Sequence, residues 1–279
     1  MTSPVVSRDV LRIGKTAQKV QDTLSTEEPM EIRLVYQEGG ERKEKNLSIT
    51  MRTPGEDFEL AAGFLFTEGI VRSPADVTGI EYCSTCAIEE RDNVVLVQLR
   101  EGLMFDETLL HRHFYTTSSC GVCGKTSLAA VRAAVPKSPL RTESVVTGEI
   151  LRSLPKKLSG AQTTFQMTGG LHAAGIFSTA GDLAVAREDI GRHNALDKVI
   201  GERFMKDRLP LPDHLVAVSG RASFELVQKA LVAGIPILAA VGAASSLAVD
   251  LAREHEMTLV GFLRDDGFNV YSGSDRIIQ

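Results

Sequence analysis

The pattern between residues 171 and 263 constrains the fold of this chain most strongly. Short apolar runs alternate there with single amphipathic helical patterns. Strands with both faces covered read as near-continuous apolar runs, and their alternation with single helices is typical of a layered sheet. We predict strands at 171–177, 183–186, 214–218, 237–241 and 258–263, and helices at 194–205, 224–233 and 246–254. The sequence therefore predicts an α/β domain, which we place at residues 117–279.

The preceding half has a different pattern. Two alternating apolar and polar segments, 31–36 and 46–51, flank Gly39-Gly40 and predict a hairpin. A helix follows at 57–67, and two short strands lie near 80–82 and 93–99. We interpret residues 26–116 as a small α+β domain and residues 1–25 as a flexible N-terminal arm, so the chain as a whole is α+β.

Charge and hydropathy exclude several classes of protein. The formal net charge of −5 and a pI of about 5.8 do not show the basic surplus of a nucleic-acid-binding protein. The N-terminal residues lack the apolar core of a signal peptide, and no segment reaches the roughly 20 apolar residues of a membrane span. We expect a cytoplasmic protein that binds neither nucleic acid nor a membrane.

The sharpest chemical motif is Ser119-Cys120-Gly121-Val122-Cys123-Gly124-Lys125. A C-x-x-C pair can bind a metal, cycle as a dithiol or carry sulfur as a persulfide, and each of these requires a thiolate. A helix predicted to begin at Thr126 and the charge of Lys125 both favour the thiolate form. A thioredoxin-like dithiol and a pair of buried apolar cysteines remain alternatives on the motif alone.

A second pair, Cys83-Ser84-Thr85-Cys86, keeps a four-cysteine zinc site open. In a reducing compartment we expect the four cysteines to be metal ligands or reactive thiols rather than structural disulfides. The spacing between the pairs is longer than in a compact zinc ribbon, and the signature of a zinc deaminase is absent from the sequence.

Polar and glycine-containing segments lie at the predicted strand ends, where ligands of open α/β sheets bind. They contain Arg187, Arg192, Arg221 and Arg264, which together suit a phosphate-rich ligand. No segment is a complete phosphate-binding motif, so separate solvated arginines are the alternative. We assign no role to His172 or His193.

The chain resembles the FdhD family over nearly everything after residue 26. Besides the Cys120 motif, the resemblance rests on several segments in the same order: 28–33, 51–57, 63–69, 168–174, 187–198, 219–225 and 259–264. Members of this family are sulfurtransferases that serve formate dehydrogenase. The resemblance implies a cytidine-deaminase-like fold without the deaminase zinc site, and a homodimer.

The resemblance also implies roles for individual residues. Cys120 is expected to carry a persulfide received from a cysteine desulfurase, and Cys123 to accept that sulfur or to protect the carrier. The cofactor-binding segment falls on Phe262, Leu263, Arg264, Asp265, Asp266 and Gly267. The bound substrate is expected to be the molybdenum cofactor, Mo-bis(molybdopterin guanine dinucleotide), with GDP as a mimic and with no metal ligand or permanent cofactor. A zinc-stabilised binding protein that chaperones the cofactor is the competing hypothesis.

Overall fold

The computed structural model describes residues 2–103 and 142–278. The elements of the first range are β1 (Val5–Ile13), β2 (Ala17–Ser25), β3 (Glu28–Glu38), β4 (Glu41–Arg52), α1 (Asp57–Thr67), β5 (Val77–Tyr82) and β6 (Val94–Leu99). Strands β4, β3, β6 and β5 form a sheet in that order. Gly39 and Gly40 both have positive φ angles, which suits glycine and allows the tight β3–β4 turn. The predicted hairpin and the helix at 57–67 are confirmed.

The N-terminal residues differ from the flexible arm that the sequence indicates. Strands β1 and β2 pair in antiparallel register from Val5 opposite Ser25 to Ile13 opposite Ala17. The Ser25 hydroxyl lies 3.3 Å from that of Thr168, far along the chain. The segment has little apolar periodicity, so its sequence does not indicate strands. Pairing between β1 and β2 nevertheless forms them. Part of residues 1–25 is therefore a hairpin.

The second range contains a larger sheet and its helices. Its elements are β7 (Val146–Thr147), α2 (Gly148–Gly160), α3 (Thr163–Thr168), β8 (His172–Ser178), β9 (Leu183–Asp189), α4 (Arg192–Met205), β10 (His214–Val218), α5 (Phe224–Val232), β11 (Ile237–Ala240), α6 (Ser246–Glu254), β12 (Thr258–Gly261), β13 (Asn269–Ser272) and β14 (Ile277–Ile278). The large sheet has the order β13-β12-β11-β10-β8-β9. Strands β10, β11 and β12 are parallel, and the others pair in antiparallel fashion.

Helices cover both faces of the large sheet. On one face, α4, α5 and α6 pack against alternate strand residues such as Val216 and Leu238. On the other face, α2 contributes Leu151, Leu154 and Leu158, whose helical spacing places them on one side of the helix. The mixed α/β class predicted from the sequence is confirmed, with the sheet as the middle of three layers.

The small sheet shares its core with the larger unit. Helix α1 packs between the four-stranded sheet and α4, so Phe204 of α4 joins the core of the first half. The two helices approach closely at Gly63 and Gly201: a Cβ atom on Gly63 would lie 1.9 Å from Asp197 O. The boundary that we predict between residues 116 and 117 lies outside the described residues and stays a prediction.

Candidate functional site at the strand ends

The ends of five strands, with the polar segments attached to them, meet on one side of the large sheet. The parallel strands end there at Val218, Ala240 and Gly261. Strand β8 runs in the opposite direction and begins at the same edge, with Ala174 opposite Val218. The end of β9 also lies there, because Asp189 pairs with His172. The register therefore assembles one polar surface, which we call the strand-end site.

Hydrogen bonds fix the segments of this site to one another. Ser219 N–H donates to Ala173 O over 2.9 Å, and Ala173 N–H donates to Ser219 Oγ over the same distance. Gly242 N–H donates to Gly220 O, and Phe262 N–H donates to Gly242 O, each over 2.9 Å. These bonds continue the sheet beyond its regular strands, so the loops form a rigid platform.

His172 lies in the middle of this platform. A Cβ atom on Gly220 would lie 3.4 Å from His172 Nδ1 and 3.5 Å from Arg192 Cδ, which shows how closely the three residues are packed. Burial lowers the pKa of His172, and the positive charges of Arg192 and His193 lower it further. The imidazole is therefore neutral at neutral pH and can either donate or accept a hydrogen bond.

A second cluster surrounds His193 at the beginning of α4. His193 Nε2 lies 3.2 Å from Ser223 Oγ and 3.8 Å from Glu225 Oε2. Burial alone would raise the pKa of Glu225, but hydrogen bonds from His193, the Glu225 backbone and Ser223 lower it to about 2. Both partners use the same imidazole nitrogen, so the cluster lacks the arrangement of a Ser-His-acid triad, in which the acid holds Nδ1. It orients the loop that follows β10.

The segment from Phe262 to Gly267 follows β12 at the same edge. Phe262 has a φ of 52° and is 47% exposed, which is an uncommon conformation for a bulky residue. Leu263 is fully buried and anchors the segment. Arg264 N–H closes a turn onto Gly267 O over 2.9 Å, and Asp265 and Asp266 are exposed within that turn.

Arg264 is exposed but held in position. Its Nη1 donates to Val241 O over 2.7 Å and to Leu263 O over 2.8 Å. The guanidinium is thereby anchored beside the ends of β11 and β12. A positioned cation with several N–H donors suits a phosphate group.

The four candidate arginines have different surroundings. Arg221 is exposed in the loop after β10. Arg192 lies beside His172, and its Nε is buried without a hydrogen-bond partner among the described residues. A buried donor of this kind is costly unless a ligand or water satisfies it. Among the arginines of this site, Arg192 therefore has, at Nε, the donor that a ligand would best satisfy.

Arg187 does not belong to this set, contrary to the grouping that the sequence suggests. Its Nε and Nη2 donate to the two carboxylate oxygens of Glu59 on α1, over 2.6 and 2.8 Å. This bidentate pair joins the two halves of the chain, so we assign the Arg187 guanidinium to the contact between β9 and α1 rather than to the strand-end site.

A cavity of about 520 Å³ adjoins the strand-end site. Its wall includes His172, Ser219 and Val241 from the platform, and Leu158 and Phe165 from helices α2 and α3. The cavity combines an apolar side with polar groups at its mouth, which is the usual character of small-molecule sites. The sequence predicts neither α2 nor α3, although Gly169-Gly170 at the end of α3 is a local signal for the end of a helix.

The cysteine motif itself cannot be placed against this site. Cys120 and Cys123 lie outside the described residues, so their predicted roles stay predictions. Cys83 and Cys86 are joined in a disulfide, which corrects the expectation of free thiols or metal ligands for that pair.

Within residues 2–103 and 142–278, no three His, Cys, Asp or Glu side chains are grouped as a metal site would require. None of the helices described is both long and apolar enough to cross a membrane.

The chain is similar to known proteins over almost its whole length. The model of the FdhD/NarQ family matches residues 26–278. Proteins named "Sulfur carrier protein FdhD" from Mycolicibacterium paratuberculosis and Streptomyces coelicolor are 52% and 50% identical to it; the alignments cover 92% and 97% of this chain and 92% and 94% of those proteins. A crystal structure of a candidate formate dehydrogenase accessory protein from Desulfotalea psychrophila matches with a TM-score of 0.72 at 23% identity, covering 98% of this chain and 99% of that one. At that identity the structure supports the fold alone.

Proposed function

Because this chain belongs to the FdhD/NarQ family, we propose that it is a sulfur carrier for the maturation of formate dehydrogenase. In this proposal Cys120 receives sulfur from a cysteine desulfurase and passes it to the molybdenum cofactor, a bis-(molybdopterin guanine dinucleotide), before that cofactor enters the enzyme. The protein acts in the cytoplasm as a homodimer. The names of its relatives support the sulfur-carrier role.

The observation that carries the proposal is the convergence of basic and polar groups at the strand-end site. Arg192 begins α4 at that edge, and Arg221 and Arg264 lie on loops there, next to a cavity large enough for a heterocycle. The net charge of the chain is negative, so an anionic ligand requires such a local basic surface. Diphosphate groups would bind to the guanidinium groups, and a carboxylate such as Asp265 or Asp266 would accept hydrogen bonds from the N–H groups of guanine.

The sulfur-loading step needs only thiol chemistry. The Cys120 thiolate attacks the terminal sulfur of the desulfurase persulfide and forms a new S–S bond, while the old S–S bond breaks and the desulfurase cysteine leaves as a thiolate. The exchange conserves electrons and needs no further co-reactant. It explains why a carrier of this kind requires no complete catalytic triad.

The first test of the proposal is sulfur loading. We predict that incubation with a cysteine desulfurase and cysteine adds one sulfur atom to the peptide containing Cys120, measured by mass spectrometry. Cys120→Ala should lose this addition, because the attacking thiolate is gone. Cys123→Ala is the matched control and should lose less. Undiminished loading of the Cys120→Ala variant would exclude Cys120 as the carrier.

The second test concerns the strand-end site. We predict that Arg264→Ala weakens the binding of GDP by about 1–3 kcal/mol, the usual contribution of a hydrogen bond to a charged group. Calorimetric titration measures the affinity. Arg208→Ala is the control, because Arg208 precedes β10 and lies toward the opposite edge of the sheet. Equal affinities in the wild type and a folded Arg264→Ala variant would remove Arg264 from the site.

A further inference from the structure

The Cys83–Cys86 disulfide closes a short loop at the end of β5. Cys83 N–H donates to Val94 O over 2.9 Å, which ties the beginning of the loop to β6. The sulfur of Cys83 packs in a small apolar cluster with Val35 and Leu96, and the residue is 2% exposed. Cys86 is partly exposed. The two cysteines of one bond therefore differ in exposure.

This difference favours Cys86 as the cysteine that an external thiolate attacks. Thiol–disulfide exchange requires direct attack on one sulfur along the S–S bond. Cys83 is buried within this apolar cluster, whereas Cys86 packs against its margin, is partly exposed and follows the exposed residues Ser84 and Thr85. Attack therefore occurs at Cys86, and Cys83 is the leaving group.

Polar groups around the bond favour the same direction. The backbone N–H of Cys86 lies 3.1 Å from Cys83 Sγ and can stabilise negative charge on that sulfur as it leaves. Arg33 Nη1 lies 3.7 Å from Cys86 Sγ, where it can attract an incoming thiolate. Glu31 and Glu44 hold this guanidinium in place at 2.8 and 3.0 Å, and their charges partly offset its own.

We propose that Cys83–Cys86 is a thiol–disulfide exchange site that accepts two electrons from a dithiol. A thiolate of the dithiol attacks Cys86 Sγ; the Cys83–Cys86 bond breaks, a mixed disulfide forms on Cys86, and Cys83 leaves as a thiolate. The second thiolate of the dithiol then attacks the dithiol sulfur that is bonded to Cys86. A disulfide forms within the dithiol, and Cys86 leaves as a thiolate. The dithiol is oxidised to a disulfide, and Cys83 and Cys86 are reduced and take up protons. This site is independent of the proposed sulfur-carrier function, because it uses neither Cys120 nor the strand-end site.

The equilibrium test uses the full chain with Cys120→Ser and Cys123→Ser, so that only Cys83 and Cys86 contribute thiols. The protein is equilibrated in buffers with different ratios of reduced to oxidised dithiothreitol, and the free thiols are then alkylated and counted by mass spectrometry. We expect both cysteines to change together, reversibly and as a two-electron couple, while circular dichroism shows the fold retained. A disulfide that persists at every ratio until the chain unfolds would show a structural bond, and two thiols that never oxidise would show no bond; either result overturns the proposal.

The kinetic test examines the direction of attack. In the same background, Cys83→Ser leaves Cys86 alone, and Cys86→Ser leaves Cys83 alone. We expect Cys86 to form a mixed disulfide with 5,5′-dithiobis(2-nitrobenzoate) at least about tenfold faster than Cys83, because reactivity follows exposure and thiolate character. Equal rates, or a faster Cys83, would contradict the assigned direction.

The contribution of Arg33 has its own matched control. Arg33→Gln should slow the reaction of Cys86, because the cation beside its sulfur is lost. Arg100→Gln also removes one positive charge. Arg100 follows β6 at the end away from the disulfide, and the usual rise per strand residue puts it roughly 20 Å from that bond. This substitution should leave the rate unchanged. An equal effect of the two substitutions would exclude a local role for Arg33.

Discussion

The pKa of Tyr82, the residue immediately before Cys83, is raised by burial and by the buried carboxylate of Asp57. Arg52 is 1% exposed and donates to Asp57 through both Nε and Nη2. The Tyr82 hydroxyl donates to Asp57 Oδ2 over 3.2 Å. Burial raises the pKa of Tyr82, and the charge of Asp57 and its hydrogen bond raise it further, to about 12.

We predict that Tyr82 ionises near pH 12, above the ordinary value of 10.0. The folded-state pKa is raised above that of the unfolded chain, so the linked stabilisation is complete below about pH 10 and is lost as the pH rises through about 12. The difference in tyrosinate absorbance between the wild type and Tyr82→Phe measures this ionisation, with circular dichroism as the control for folding. A difference band that is complete near pH 10 would disprove the predicted shift.

Among the elements, α1 and α4 make a contact that depends on glycine. A Cβ atom on Gly63 would lie 1.9 Å from Asp197 O, and one on Gly201 would lie 1.8 Å from Glu59 O. In both cases the obstacle is backbone, which cannot move aside without separating the helices. The close approach places Glu59 of α1 where it reaches Arg187.

We predict that Gly63→Ala lowers the free energy of unfolding by about 1–3 kcal/mol, the usual cost of overpacking. This loss should exceed the gain in helix propensity, which is about 1 kcal/mol for alanine over glycine. Urea-induced unfolding provides the measurement. Gly160→Ala at the end of α2 is the control: a Cβ there meets no atom within 4 Å, so this variant should be as stable as the wild type or more so. If Gly63→Ala behaves like Gly160→Ala, the contact is looser than the structure indicates.

At the scale of the whole molecule, buried charges join the two halves of the chain. Lys229 on α5 donates to Asp197 Oδ2 on α4 and to Thr67 Oγ1 on α1, each over 2.8 Å. Lys229 and Asp197 are almost completely buried. Burial alone would lower the pKa of Lys229, but the charges of Asp197 and Glu68 raise it, so the lysine stays charged.

We predict that Lys229→Met lowers the free energy of unfolding by about 3–5 kcal/mol, because it leaves the Asp197 carboxylate buried without its cation. Lys206→Met removes an exposed lysine that pairs with Glu202 four residues earlier, and should change stability by no more than about 1 kcal/mol. Denaturant unfolding of the three proteins is the measurement. Similar stabilities of the two variants would contradict a stabilising role for the buried Lys229–Asp197 pair.

The sequence alone determined the elements whose signals are local. The bounds predicted for α1, β10 and α6 agree with the structure, because helical periodicity, apolar runs and glycine or proline breaks act over a few residues. The strand-end site was also anticipated, since parallel strands place their carboxyl ends at one edge. Helix α2 was missed, and it contains Pro155, which normally signals a break in a helix.

Only the tertiary structure decided which residues become partners. By sequence Arg187 belongs with the arginines predicted to bind a phosphate-rich ligand, but in the fold it pairs with Glu59, 128 positions away. The hairpin of β1 and β2 is likewise joined to the rest of the fold by a distant partner, since Ser25 lies beside Thr168. Side-chain chemistry limits the bonds a residue can make, but packing of distant segments selects among them. The fold class and the meeting of the polar segments at one end of the large sheet therefore follow from the sequence, whereas the specific charge pairs follow from the assembled fold.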